Sequence, residues 1–334
     1  MKISASVYSD KNRPLKNVIK DLVGHQIDLL HIDCNDDIKV FQDIKEIRSW
    51  CDTPIDLHII TDDPTKFYPL LKSQPVEYIT FQYENLPGPL NIPAEITGKK
   101  GLAVTTPTSV DVFEDFNDMD FILIMATVPG QSGGVFDQKN FSKIRKFRRQ
   151  FPRKSIHVDG GVNAEVSFIL RNMGVSASVS GSYLFNETSI GNALMNLTSR
   201  EIDSQYNIRD FMTPLNESPH LDRANKTTKD ILQCVENGNM GFALITDSNN
   251  RLEGIVSSAD IRKALLKKID EPSSIKPDDL INTNPITIDG SATVVALLRK
   301  IKSCPFPVMY LPVIDEKENA IGIVNFVHLI KGEI

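Results

Sequence analysis

At 334 residues and 41% hydrophobic content, the chain is long enough for two cores at roughly 150 residues per domain. A formal net charge of −6, from 43 Asp and Glu against 37 Lys and Arg, argues against nucleic acid or an anionic membrane surface as partner, since both need clustered positive charge. No run approaches the ~18 uninterrupted apolar residues of a membrane span, and Met1-Lys2-Ile3 leads into a strand-like segment rather than a signal peptide, so a cytoplasmic location is expected.

In chain order, short β-rich runs alternate with amphipathic stretches. Residues 2–8 read as a strand, 15–23 as a helix, 27–33 as a strand, 40–50 as a helix, 55–60 as a strand and 67–71 as a helix. Strands follow at 78–82, 101–104 and 121–127, then a helix at 141–149, a strand at 155–159, a helix at 164–173 and a strand at 175–180. Eight strand-like runs in just under two hundred residues predict an α/β fold, a closed (β/α)8 TIM barrel over 1–200 with its active site at the C-terminal rim. An open doubly wound sheet is the alternative. The basic stretch 143–149 reads as the solvated face of a helix. Residues 197–207 lose the alternation and read as a connector. The rest, 208–334, is a second, smaller α+β domain with an internal repeat. One half has a helix near 229–237 and strand-like runs at 241–247 and from 252; the other has a helix near 292–303 and runs at 309–315 and 320–330.

The chemistry concentrates at strand ends. His31, Asp33, His58 and Asp159 each close a short apolar run, and period-two alternation puts His31 and Asp33 on one face. Two imidazoles and two carboxylates form a nitrogen and oxygen donor set suited to one divalent ion: Zn2+ first, with Fe2+, Mn2+ or Co2+ as alternatives. Two carboxylates on opposite sides of a substrate could remove a proton beside a carbonyl and return it to the other face. Gly160-Gly161 and Gly181-Ser182 follow adjacent strands, where exposed backbone N–H groups of such barrels seat phosphate. Tight turns needing only glycine geometry are the plainer reading of the same residues. Cys34, Cys51, Cys234 and Cys304 lack Cys-x-x-Cys spacing and read as ordinary buried or half-buried thiols.

These motifs carry a resemblance. Lys2-Ile3-Ser4-Ala5-Ser6, His31-Ile32-Asp33-Cys34-Asn35-Asp36, Asp56-Leu57-His58, Met125 with Pro129-Gly130 and Gly133, His157-Val158-Asp159-Gly160-Gly161-Val162-Asn163 and Ser180-Gly181-Ser182 resemble, in order, the motifs of ribulose-phosphate 3-epimerase. The resemblance implies an isomerase of carbohydrate (pentose phosphate) metabolism, a metal-dependent epimerase inverting C3 of a ketose phosphate such as ribulose 5-phosphate or xylulose 5-phosphate through an enediolate. By carry-over Asp33 is the base and Asp159 the acid, His31, Asp33, His58 and Asp159 hold the metal, and Ser6, Met125, Gly133, Gly160, Gly161, Gly181 and Ser182 contact substrate. The chain departs from the family at Asn35 and Ile60, where the family has methionines, and at Gln82, where it has histidine. A polar wall of this kind suggests a longer or differently hydroxylated ketose phosphate. A catalytically silent binding or regulatory protein, responsive to a sugar phosphate or adenine nucleotide, is the alternative. The Asp-x-Lys-x-x-Asp array of the related decarboxylases is absent, since Asp33-Cys34-Asn35-Asp36 carries no lysine. His157 reads as a packed interior histidine.

The repeated domain resembles a tandem CBS pair. In its first half Gly254-Ile-Val-Ser-Ser-Ala-Asp260 resembles the signature in which Ser257 and Asp260 would hold the ribose of an adenine nucleotide. The second half reads Gly322-Ile-Val-Asn-Phe-Val-His328 and lacks both, so at most one well-formed nucleotide site is expected. Dimerisation alone is the competing role, and a homo-oligomer is expected.

Overall fold

The computed structural model describes residues 1–127, 133–198, 205–224, 226–304 and 306–326. These fall into two compact units, divided between 198 and 205. Among the described residues no helix is long and apolar enough to cross a membrane.

The first unit is a closed barrel of eight parallel strands: β1 (Lys2–Ser6), β2 (Leu29–Asn35), β3 (Ile55–Ile60), β4 (Tyr78–Gln82), β5 (Lys99–Thr105), β6 (Phe121–Met125), β7 (Ser155–Asp159) and β8 (Ala177–Ser180). Each strand pairs with its successor in sequence, and β8 closes on β1 with Lys2 opposite Ala177 and Ala5 opposite Ser180. The open-sheet alternative is thereby excluded. Alternation sorts the side chains. Leu30, Ile32 and Cys34 of β2, like Ile55, Leu57 and Ile59 of β3, are buried on one face, while His31, Asp33 and His58 occupy the other. Helices α1 (Leu15–Gly24), α2 (Val40–Trp50), α3 (Tyr68–Ser73), α4 (Lys139–Gln150), α5 (Ala164–Asn172), α6 (Ser182–Asn186) and α7 (Ile190–Thr198) supply the outer layer.

Among the described residues, two of the strand-to-strand connections contain no α-helix. After β4 the chain makes a 3-10 turn at Tyr83–Asn85 and runs irregularly to β5; Pro87, Pro89 and Pro93 deny it the N–H donors a helix requires. Between β5 and β6 a 3-10 helix, Val110–Phe116, buries Val110, Phe113 and Phe116. Phe113 meets Phe147 of α4 edge to face, with centroids 5.0 Å apart.

The basic stretch of α4 is only in part the solvated face expected from its sequence: Arg149 is exposed, while three of its cations bond neighbouring segments. The Lys143 ammonium donates to the Thr105 and Thr108 carbonyls at 2.5 and 2.6 Å, Lys146 bonds Asp111 at 2.5 Å, and Arg148 donates to the Gly174 carbonyl. These cations close the ends of neighbouring loops, which charge content alone could not reveal.

Towards the N-terminal end the barrel interior is plugged by rings. His157 stacks on Phe121 at 4.2 Å and lies 5.5 Å from the Tyr78 ring. Gly101 of β5 makes room for this layer: a Cβ there would sit 2.3 Å from the Phe121 ring.

The second unit holds the two half-repeats. In one sheet His220–Asp222 pairs parallel with Phe242–Thr246, which pairs antiparallel with Leu252–Ser257. In the other, Ile288–Asp289 pairs parallel with Tyr310–Ile314, itself antiparallel to Ala320–Asn325. The halves exchange edges. Thr213–Pro214, ahead of the first half, pairs with the last strand of the second, and Asn282, ahead of the second, bridges to Ile255 of the first. Their hairpin turns also meet, with Leu252 N donating to Glu318 O at 3.1 Å and Ala320 N to Asn250 O at 2.8 Å. Asn250 and Glu318 both hold left-handed backbone, φ 64°.

Candidate active site

The barrel gathers at one point what the sequence distributes over three strands. Parallel register sets Asp33 beside His58 and Met125 beside Asp159. One ligand atom from each of His31, Asp33, His58 and Asp159 lies within 4.8 Å of all the others. His31 Nε2 is 3.2 Å from Asp33 Oδ1 and 3.9 Å from Asp159 Oδ2; His58 Nδ1 is 3.3 Å from Asp33 Oδ1. The imidazoles are fully buried, while the two carboxylates keep 19% and 17% side-chain exposure at the mouth.

Each imidazole is held from behind. Asp56, one row deeper on β3, accepts from His31 Nδ1 at 2.9 Å and from the Ser4 hydroxyl at 2.9 Å. Gln82 Oε1 lies 2.9 Å from His58 Nε2, and the Gln82 amide nitrogen donates to Glu84. Sequence reasoning did not assign roles to Asp56, Gln82 and Glu84. The available signal was spacing, since Asp56 and Gln82 stand two residues from His58 and Glu84 respectively, on shared strand faces or just past a strand end.

The electrostatics are those of a cation seat. Burial disfavours a charged His31, yet the Asp56 and Asp33 carboxylates override it and hold the ring well above the ordinary histidine value. Burial likewise opposes an ionised Asp33, but His31 and His58 pull it far below the usual carboxylate range. Asp159 moves the other way: burial, reinforced by Asp33 and only partly offset by His31, pushes it up to about 6. A site that draws positive charge onto an imidazole would accept a cation in place of that proton. His58 Nδ1 is buried without a hydrogen-bond partner, a cost that a ligand to that nitrogen would remove.

The expected substrate contacts sit around the same mouth. Ser6 ends β1 and accepts from the Ser9 hydroxyl at 3.0 Å; Ser9 Oγ would be 2.2 Å from a Cβ on Gly181, ahead of Ser182. Gly160 and Gly161 follow Asp159 with φ of 106° and 66°, and a Cβ on Gly161 would meet Phe136 N at 2.2 Å. Glycine is therefore required at both, whether or not an anion binds. Met125 is buried at the end of β6. Gly133 has φ 89°, and a Cβ built there would meet none of the described residues within 4 Å; Pro129 and Gly130 of the same motif lie outside the described residues.

In the second unit Ser257 and Asp260 share a cleft of about 460 Å³ with Lys263, Phe306, Met309 and Tyr310. They also form a capping box: the Asp260 Oδ2 accepts from Ser257 N at 3.0 Å and from its hydroxyl at 2.5 Å, opening the helix Ser258–Lys267. Asp260 Oδ1 is 3.8 Å from Lys263 Nζ. The corresponding stretch of the second half runs to His328, beyond the described residues.

Comparison with known proteins follows this division. The ribulose-phosphate 3 epimerase family model matches residues 2–185, more than half of the chain, and the CBS domain model matches 208–267 and 278–332. The ribulose-phosphate 3-epimerase of Bacillus subtilis is 28% identical over 203 residues, covering 56% of this chain and 94% of that one. The enzyme of the same name from Methanocaldococcus jannaschii is 28% identical over 227 residues, covering 64% and 95%. Among solved structures, the CBS-pair protein CBSX2 of Arabidopsis thaliana is similar at 23% identity and a TM-score of 0.32, over 38% of this chain and 94% of that one. On the two family-model matches, with the closed barrel they fit, the chain belongs to the ribulose-phosphate 3 epimerase family, as an epimerase barrel followed by a CBS pair.

Proposed function

We propose that the barrel inverts the carbon next to the carbonyl of a ketose phosphate, with Asp33 and Asp159 exchanging roles as base and acid. The observation that carries this is the convergence of two carboxylates and two imidazoles within 4.8 Å, from β2, β3 and β7, at the rim. His31, Asp33, His58 and Asp159 would hold one divalent ion, zinc first by donor chemistry; when bound it polarises a carbonyl and its hydroxyl neighbour. Asp33 removes the proton on one side, and Asp159 supplies one from the other. Gly160, Gly161, Gly181 and Ser182 offer backbone N–H groups to the phosphate, with Ser6 and Met125 beside the sugar. Ribulose 5-phosphate is the first candidate substrate. The polar Asn35 at the end of β2, opposite Ile60, favours testing longer ketose phosphates beside it.

Solvent deuterium incorporation, followed by NMR on ribulose 5-phosphate and six- and seven-carbon ketose phosphates, tests this reading. Wild type should exchange C3 and form the epimer, and Asp159→Asn should slow this by roughly 10²–10⁴-fold. No exchange on any sugar by protein shown to bind metal would sink the enzyme reading and favour a silent sugar-phosphate binder.

For the CBS pair we propose one adenine-nucleotide site, in the cleft of Ser257 and Asp260. Its volume suits a small ligand, Tyr310 and Phe306 offer faces for a base, and Lys263 supplies a cation for phosphate. One Asp260 oxygen is committed to the helix cap, so the carboxylate meets a ribose already oriented.

A further inference from the structure

From the hydrogen bonds behind His58, and building on the metal reading above, we infer that Gln82 and Glu84 form a lock that fixes the ring in the tautomer presenting the Nδ1 lone pair to the site. Glu84 is anchored by donors alone. Its Oε1 accepts from Thr105 N at 2.8 Å and the Thr105 hydroxyl at 2.7 Å, and from the Thr108 hydroxyl. Its other oxygen can then only accept, and it receives the Gln82 amide nitrogen. That settles the orientation of the amide. Gln82 Oε1 must point at His58, 2.9 Å from Nε2, and a carbonyl oxygen can only accept. Nε2 therefore carries the hydrogen, leaving the Nδ1 lone pair 3.3 Å from Asp33 Oδ1 and without a hydrogen-bond partner.

The two site histidines are thus set by different means. At His31 a carboxylate, Asp56, takes the Nδ1 hydrogen and leaves Nε2 as the donor atom. At His58 the acceptor is a neutral amide, and its direction is imposed by a carboxylate one step further out. Gln82 and Glu84 are positioning residues in this arrangement, since both act through His58. Gln82 is 1% exposed and His58 wholly buried, so water cannot take over the acceptor role without rearrangement.

The test uses the full-length protein with 15N-labelled histidine. Long-range proton–nitrogen spectra of metal-stripped protein report the His58 tautomer directly, and Zn2+ affinity is read by competition with a chelator. Wild type should show the Nε2–H form. Gln82→Leu should lose or mix that tautomer and weaken Zn2+ by ~10–100-fold. Glu84→Gln, which frees the amide to turn, should shift both in the same direction. The exchange Gln82→Glu with Glu84→Gln places an acceptor against His58 again and should restore both. An unchanged tautomer in Gln82→Leu, or an exchange variant that folds yet shows no recovery over Glu84→Gln, would overturn the lock. Should Gln82→Leu fail to fold, Glu84→Gln and the exchange carry the test. A wild type that binds no Zn2+ defeats the metal reading alone, because the tautomer spectrum still decides the lock.

Discussion

His157 shows how one face of one strand divides its work. It stands two residues before Asp159 on β7, so both point into the barrel, yet it is sealed between Phe121 and Tyr78. Burial, with only Asp56 opposing it, brings its ring down to about 4, against about 6.5 in an unfolded chain. Between those values the unfolded chain binds a proton that the folded one refuses, so stability contributed here is lost as pH falls from 6.5 to 4, by up to about 3 kcal/mol. His157→Leu should flatten that part of the profile; urea midpoints at pH 7 and 4.5 for both proteins measure it, and parallel slopes would refute the assignment. At this scale the sequence is readable where a side chain acts by its own chemistry. His31, Asp33, His58 and Asp159 stood out as ligand types at strand ends, and the structure brings the four together. Asp56, Gln82 and Glu84 act through neighbours, and nothing in their residue type says which ring they will meet.

Elements were legible wherever hydrophobic period and length agreed. The strand at Ser155–Asp159 and the helix at Val40–Trp50 begin and end as their alternation and spacing predict. The first strand stops at Ser6, short of the expected residue 8, because Val7–Ser9 turns as a 3-10 helix that lets Tyr8 bond Asp43 at 2.6 Å. That contact spans thirty-five positions and leaves no local mark. The same holds for Gly101, a strand-interior glycine whose reason is the Phe121 ring on the next strand. Gly101→Ala should destabilise the barrel by about 1–3 kcal/mol through overpacking, visible as a lower thermal midpoint. An unchanged midpoint would mean the ring layer can shift without cost.

At the scale of the molecule, the barrel and the internal repeat were both readable from periodic pattern, since each is built by repeating one local unit. The edge exchange between the half-repeats was not, because a two-residue strand such as Thr213–Pro214 has no periodicity to detect. The proposed nucleotide site belongs to this scale, as the cleft takes residues from both halves. Calorimetric titration of the whole chain with AMP should show one site, and Asp260→Asn should weaken it by roughly 10–100-fold, the value of a hydrogen bond to a charged group. Two equal sites, or none, would overturn the single-site assignment. The exchanged edges also bear on the protein's birth at the ribosome. The barrel pairs each strand with the one made just before it until β8 returns to β1, so its sheet can grow as the chain emerges. Pro214 must instead wait for Gly322, and Ile255 for Asn282. The second unit therefore spends much of its synthesis with open strand edges, and its final assembly waits until the strand Ala320–Asn325 has emerged, an interval in which nascent-chain chaperones matter most.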